Sequence, residues 1–131
     1  MLLVDTNVLV DVLQDDPQWA DWSIGQLRAQ ASVHQLVINP VVYAEMSLSF
    51  STLEALERVV KTLLLELREI PRPALFLAAK AYAQYRKRGG RLSVLPDFFI
   101  GAHAAVEGWP LLTRDARRFR TYFPGLEVLA P

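Results

Sequence analysis

Apolar residues fall into two spacings along this chain. Short unbroken runs such as Leu2-Leu3-Val4 and Leu36-Val37-Ile38 read as strands, whereas longer stretches with apolar residues three and four apart read as helices. The first run predicts a strand over residues 1–5, and Val8, Leu9, Val12 and Leu13 predict a helix over 7–14. Asp15-Asp16-Pro17 opens a second helix toward residue 30, because proline suits a first helical turn. A second strand is expected over 33–38, followed by a helix to residue 50 with Asn39 as N-cap and Pro40 at its first position. Ser51 or Thr52 caps a helix reaching residue 67, and 67–70 reads as a short strand. The pattern over 73–88 is helical until Gly89-Gly90 ends it, and 96–107 is helical until Gly108. A strand over 111–113, a short helix over 116–122 and a last strand over 127–129 complete the chain.

Short strands separated by one or two helices imply crossover connections, hence a largely parallel sheet with helices on both faces. The expected class is α/β, and 131 residues without repeats or a long linker suit one domain over 1–131. In such sheets the functional crevice lies outside the carboxyl ends of the strands. That rule gives meaning to Asp5, a carboxylate set where the first strand meets the first helix.

The composition, 52% hydrophobic and 21% charged, is that of a packed globular protein. No stretch approaches the ~20 apolar residues that span a bilayer, so a soluble chain without membrane attachment is expected. Asp5 interrupts the first apolar run and no basic region precedes it, so no secretory signal is expected. Cysteine is absent, which removes disulfides, thiolate nucleophiles and Cys-type zinc sites and agrees with a cytoplasmic location. Net charge is zero, but the 14 basic residues are unevenly placed. Arg86, Lys87, Arg88 and Arg91 form one basic stretch and Arg114, Arg117, Arg118 and Arg120 another. Each is either a solvated segment or a phosphate-contacting patch.

Most acidic residues suit turns, helix ends or solvated faces, but four do not. Asp5 ends the first strand and Asp115 follows the strand at 111–113. Glu45 shares a helical stripe with the apolar Val41 and Leu48, and Asp97 starts a helix whose stripe continues with Gly101 and Ala105. Singly, Asp5, Asp97 and Asp115 are also good helix caps. Together, two carboxylates at strand ends and two on flanking helices converge on one crevice. Two carboxylates ~4 Å apart repel by about 4 kcal/mol at an effective dielectric of ~20, so such a group must protonate, spread or bind cations. An all-oxygen donor set favours Mg²⁺ or Mn²⁺.

The stretches LLVDTNVLVDVL, VVYAEMS, LPDFFIGAHA and LLTRDARRFRTYFPGLEVLAP, in this order, resemble the PIN-domain family of metal-dependent ribonucleases, specifically the toxins of VapBC toxin–antitoxin systems. The resemblance spans essentially the whole chain. It implies a three-layer α/β/α fold and an acidic pocket of Asp5, Glu45, Asp97 and Asp115 holding Mg²⁺ or Mn²⁺. It also implies endonucleolytic RNA hydrolysis by metal-activated water. Thr6, Asn7 and Thr113 match polar positions whose implied role is to orient the carboxylates, water or phosphate, and Thr6 is equally a helix N-cap. The chain departs from some relatives in lacking a further acid after Asp115, where Ala116, Arg117 and Arg118 stand. A cognate VapB-type antitoxin and a homodimer are implied as well.

Within that reading, Arg86, Arg88, Arg91, Arg114, Arg117 and Arg118 are candidates for holding RNA phosphates beside the acids. Tyr85, Phe98, Phe119 and Tyr122 suit core packing better than base stacking, and His34 and His103 suit structural roles. Trp19 and Trp22, with Ile24 and Leu27, form either core or a groove for a partner helix. Phosphotransferases of the haloacid dehalogenase type need a second Asp where Asn7 stands, and receiver domains need a phosphoacceptor Asp that the stretch LSFSTL lacks. The remaining rival is a non-catalytic module of the same fold that binds RNA or protein.

Overall fold

A computed structural model describes residues 1–131. In chain order it contains β1 (Leu2–Val4), α1 (Thr6–Leu13), α2 (Ala20–Ala31), β2 (Leu36–Ile38), α3 (Pro40–Ser47), α4 (Leu53–Thr62) and β3 (Glu66–Leu67). It continues with α5 (Arg72–Lys87), a 3₁₀ turn (Leu92–Val94), α6 (Leu95–Glu107), β4 (Leu111–Leu112), α7 (Arg117–Tyr122) and β5 (Val128–Leu129).

All five strands pair in parallel in the order β3-β2-β1-β4-β5. β1 is central: Leu3 registers with Val37 on one side and with Leu111 on the other. Leu2, Leu3 and Val4 are completely buried, as are Val37, Ile38, Leu111 and Leu112, which is why these strands are unbroken apolar runs rather than alternating ones. Strand order grows from β1 to β2 and β3 on one side and, after the α5–α6 crossover, to β4 and β5 on the other. The neighbouring carboxyl ends of β1 and β4 are therefore the topological switch point of the sheet. This is the PIN-like α/β architecture expected from the chain.

Several boundaries differ from the apolar pattern, each for a local reason. The second helix starts at Ala20 rather than residue 17, because Asp16 Oδ1 accepts the Gln18 and Trp19 backbone N–H groups in a turn. β2 starts at Leu36 rather than residue 33, since the His34 N–H still closes the end of α2 on the Gln30 carbonyl. Helix α3 stops at Ser47, three residues before the expected end at 50. Helix α4 stops at Thr62, and Leu64, with φ at 56°, turns the chain in time for β3 to form at Glu66 instead of residue 67. The expected caps Asn39 and Thr52 accept the Val42 and Ala55 N–H groups, and Gly108 ends α6 in the left-handed region.

Helix α6 packs against α3, α5, α7 and β1, and Phe98, Ile100, Gly101, Ala102, His103 and Ala104 are all buried. Its partner α5 presents the small stripe Ala74, Ala78 and Ala81. Gly101 lets the Phe123 ring approach so closely that a Cβ there would stand 2.5 Å from the ring. Asp97 projects from the first turn of this clamped helix. Substituting Gly101→Val should therefore lower stability by about 1–3 kcal/mol through overpacking. A urea midpoint equal to that of the parent would show that Phe123 yields freely.

Candidate active site

Asp5 follows the central strand and stands at the N-cap of α1 with an extended backbone (φ −72°, ψ 149°), yet its side chain makes no cap hydrogen bond. Its N–H donates to the Leu112 carbonyl at 2.9 Å, extending the β1–β4 ladder, and its Oδ2 accepts the Thr113 hydroxyl at 2.7 Å. The carboxylate is thus aimed across the strand ends rather than back over its own helix. Only 5% of Asp5 is exposed. Burial, then the negative charge of Asp97, push its pKa up to about 7, against the lowering effect of the Thr113 hydroxyl and the Thr6 N–H.

The neighbouring polar residues hold the acids in place. Thr6, at the first position of α1, donates its hydroxyl to Glu45 Oε1 of α3 at 2.6 Å. Asn7 donates from Nδ2 to Thr113 Oγ1 at 3.3 Å and accepts the Arg114 N–H at Oδ1. Thr113 Oγ1 also accepts the Asp115 N–H at 3.2 Å. The three residues thus tie β1, α3 and the loop after β4 together. Asp97 makes an ion pair with Arg118 of α7. Burial raises the Asp97 pKa and the nearby Asp115 raises it further, while the Arg118 cation pulls it down. Asp115 itself is exposed.

Asp5, Glu45, Asp97 and Asp115 line one cavity of about 300 Å³ at the carboxyl ends of β1 and β4, together with Thr6, Asn7, Val10, Arg114 and Phe119. Its donor chemistry is that of a hard divalent cation, all oxygen and no sulfur or imidazole. Burial and, after it, the charge of Asp97 disfavour the Asp5 carboxylate, and Asp97 pairs with Arg118; a cation in the cavity would stabilise both charges. No three of the carboxylates stand close enough to share one ion as they are. A cation here would take its remaining oxygens from water or substrate.

The basic residues divide into engaged and free groups. Arg114 binds Asp11 through Nε at 2.8 Å and Nη2 at 3.0 Å, and lies over the Trp19 ring. Arg118 is taken by Asp97. Arg86 donates to the Gly90 carbonyl, Arg88 lies over Tyr122, and Arg91 and Arg117 are exposed. A second cleft of about 360 Å³, lined by Tyr85, Asp115, Arg117, Arg118, Thr121 and Tyr122, adjoins the acidic cavity through Asp115. Phe98 and Phe119 are core residues. His103 is buried beside Trp109 with Nδ1 on the Asn39 amide at 3.3 Å, and burial lowers its pKa.

Asp11 escaped the apolar pattern. It is 2% exposed and receives Ser23 Oγ as well as Arg114. Its one sequence signal is a polar position four residues after Asn7, on the same face of α1. Trp19 and Trp22 meet edge to face at 6.2 Å, both half-buried. Ile24 and Leu27 instead join Ala31, Leu36, Leu63 and Leu64 in an apolar groove of about 280 Å³ between α2 and the end of α4.

The parallel sheet thus carries an acidic cavity at its switch point. The PIN domain family model matches residues 2–123, and the chain belongs to that family. Among solved structures it is similar to VapBC2 from Rickettsia felis bound to a promoter DNA fragment, with a TM-score of 0.74 and 19% identity, covering 98% of this chain and 97% of that one. VapBC-1 from nontypeable Haemophilus influenzae gives a TM-score of 0.73 at 17% identity, covering 98% and 96%. DNA-bound VapBC from Salmonella typhimurium gives 0.71 at 19% identity, also covering 98% and 96%. A comparison with curated protein sequences finds no significant match.

The Asp5 shift fixes the direction of a pH effect. Its folded pKa lies above its unfolded value, so between about pH 4 and 7 the folded chain holds a proton that the unfolded chain has released. Raising pH through this window therefore destabilises the metal-free fold. In chelator, Asp5→Asn should remove most of that loss and be more stable than the parent above pH 7 in urea unfolding; parallel pH profiles for the two proteins would refute it.

Proposed function

We propose that this chain is a divalent-metal-dependent endoribonuclease and the toxin of a toxin–antitoxin pair. The observation that carries this reading is the convergence of Asp5, Glu45, Asp97 and Asp115 on one cavity at the switch point of a PIN fold. Mg²⁺ or Mn²⁺ would be held by these carboxylates, and when bound would activate water and neutralise charge on the phosphodiester.

The rest of the site prepares that chemistry. Thr113 keeps the Asp5 carboxylate turned into the cavity, and Thr6 does the same for Glu45. Asn7 ties the loop after β4 to α1, which sets the distance of Asp115 from the other acids. Burial holds the Asp5 pKa up at about 7, Oδ2 accepts from Thr113, and a bound cation would favour the carboxylate form. No protein side chain is positioned as a general base: His103 is buried beside Asn39, away from the cavity lining. Arg117 and Arg88, which no carboxylate engages, flank the adjoining cleft and suit RNA phosphates, with Arg86 and Arg91 further along the same basic stretch.

The three similar solved structures named above are of VapBC. Together with the α2–α4 groove, lined by Ile24, Leu27, Ala31 and Leu63, this supports an antitoxin of VapB type that lays an apolar segment there. The exposed Phe76 and Leu75 on α5 suit a homodimer contact.

The purified chain, freed of any partner, should cleave RNA in Mg²⁺ or Mn²⁺ and stop in chelator. Asp5→Asn or Asp97→Asn should reduce cleavage by roughly 100-fold or more, and Thr113→Val by roughly 10–100-fold as loss of a supporting group. Undiminished cleavage by the Asn variants would refute the pocket assignment. Tight RNA binding with no cleavage by any form would make the chain a non-catalytic module.

A further inference from the structure

One carboxylate of the acidic cavity is paired with a cation from the neighbouring cleft. Arg118 Nη1 donates to Asp97 Oδ2, and the guanidinium stands over the Tyr85 ring, with Cζ 5.5 Å from the centroid. Tyr85 is a fixed backstop. Its hydroxyl accepts the Arg91 N–H at 3.0 Å, and Gly90 passes so close that a Cβ there would lie 2.3 Å from the ring.

The other arginine of the site is a useful contrast. Arg114, its side chain 32% exposed, grips Asp11 through two nitrogens, and the Asp11 carboxylate is 3% exposed with Ser23 as a further donor, so it is the buried acid and the second nitrogen that hold this pair in the fold. Arg118 holds Asp97 through one nitrogen, and the two side chains are 26% and 30% exposed. Arg118 also lines the second cleft of about 360 Å³, with Tyr85, Arg117 and Tyr122, and this cleft offers space for the guanidinium away from Asp97. Asp97 is also the carboxylate whose charge bears most on Asp5. An arginine on Asp97 therefore occupies, electrostatically, the place a divalent ion would take.

We propose that Arg118 is an exchangeable counter-ion that competes with the divalent cation for Asp97, so that loading the cavity displaces its guanidinium into the neighbouring cleft. The inference rests on the metal-site reading above and adds that the chain sets its own threshold for metal. Two effects act in one direction: the engaged carboxylate oxygen must be freed, and the guanidinium repels an incoming cation. A purely bracing role for Arg118, holding Asp97 in a metal-ready position, has the opposite sign.

Mn²⁺ titration of the whole chain at fixed pH and salt, read by the electron paramagnetic resonance of free Mn²⁺, separates them. Arg118→Gln keeps a hydrogen-bond donor on a shorter side chain but removes the charge, and should bind Mn²⁺ roughly tenfold more tightly. Arg118→Lys keeps the charge and should stay within about threefold of the parent. Adding Asp97→Asn to the parent and to R118Q should abolish the difference between them, as a double-mutant cycle requires. Equal or weaker binding by R118Q beside a parent that binds, or equal tightening by R118K, would overturn the counter-ion while leaving the metal site standing. Absence of Mn²⁺ binding by every form would overturn the metal site and this inference with it.

Discussion

Everything at the site follows from a carboxylate that cannot move away. Asp5 is bonded into the edge of the β1–β4 ladder through its own N–H, and the three residues before it are sealed in the core. A surface acid relieves repulsion by swinging into water; Asp5, 5% exposed and held by Thr113, has little room to do so. Its charge must be met by hydrogen bonds, by a proton or by a cation, and the surroundings supply the first two through Thr113 and a pKa of about 7. The remaining demand falls on the cavity it shares with Glu45, Asp97 and Asp115.

Around that fixed acid the protein uses ion pairs of two kinds. Asp11 and Arg114 form a two-pronged pair with a buried carboxylate, so loss of the arginine would strand that charge, and the pair fixes the loop after β4 to α1 and α2. Asp97 and Arg118 form a half-exposed, single-pronged pair at the cavity rim. The first is held by two nitrogens on a buried acid, and the second by one nitrogen on an acid that is partly exposed. Which acid meets which base decides the function of each arginine, although both lie in one basic stretch of seven residues.

Much of this arrangement was legible in the chain itself. Unbroken apolar runs mark strands buried on both faces, and Asn39-Pro40, Thr52 and Gly108 mark helix ends by chemistry that needs no tertiary context. Boundaries slipped where a local bond or a left-handed residue intervened, as with Asp16 holding off α2 and Leu64 turning the chain into β3. Asp5 and Asp115 at strand ends, Asp97 at a helix start and Glu45 on an apolar helical stripe could be singled out from the chain. The charge pairing could not: Arg114 and Asp11 lie 103 residues apart, and nothing local distinguishes an arginine that grips a buried acid from one that faces solvent. Asp11 itself sits on the polar face of an otherwise ordinary amphipathic helix, so its burial under α2 is a tertiary fact.

The central claim, that the fixed Asp5 and its neighbours form a cation site, is tested most directly by an anomalous difference map from a crystal of this chain soaked in Mn²⁺. The account predicts a peak in the cavity within ~2.0–2.4 Å of oxygens from Asp5 and at least one other of the four acids. A map with no peak there, and Asp97 still held by Arg118 at saturating Mn²⁺, would contradict it.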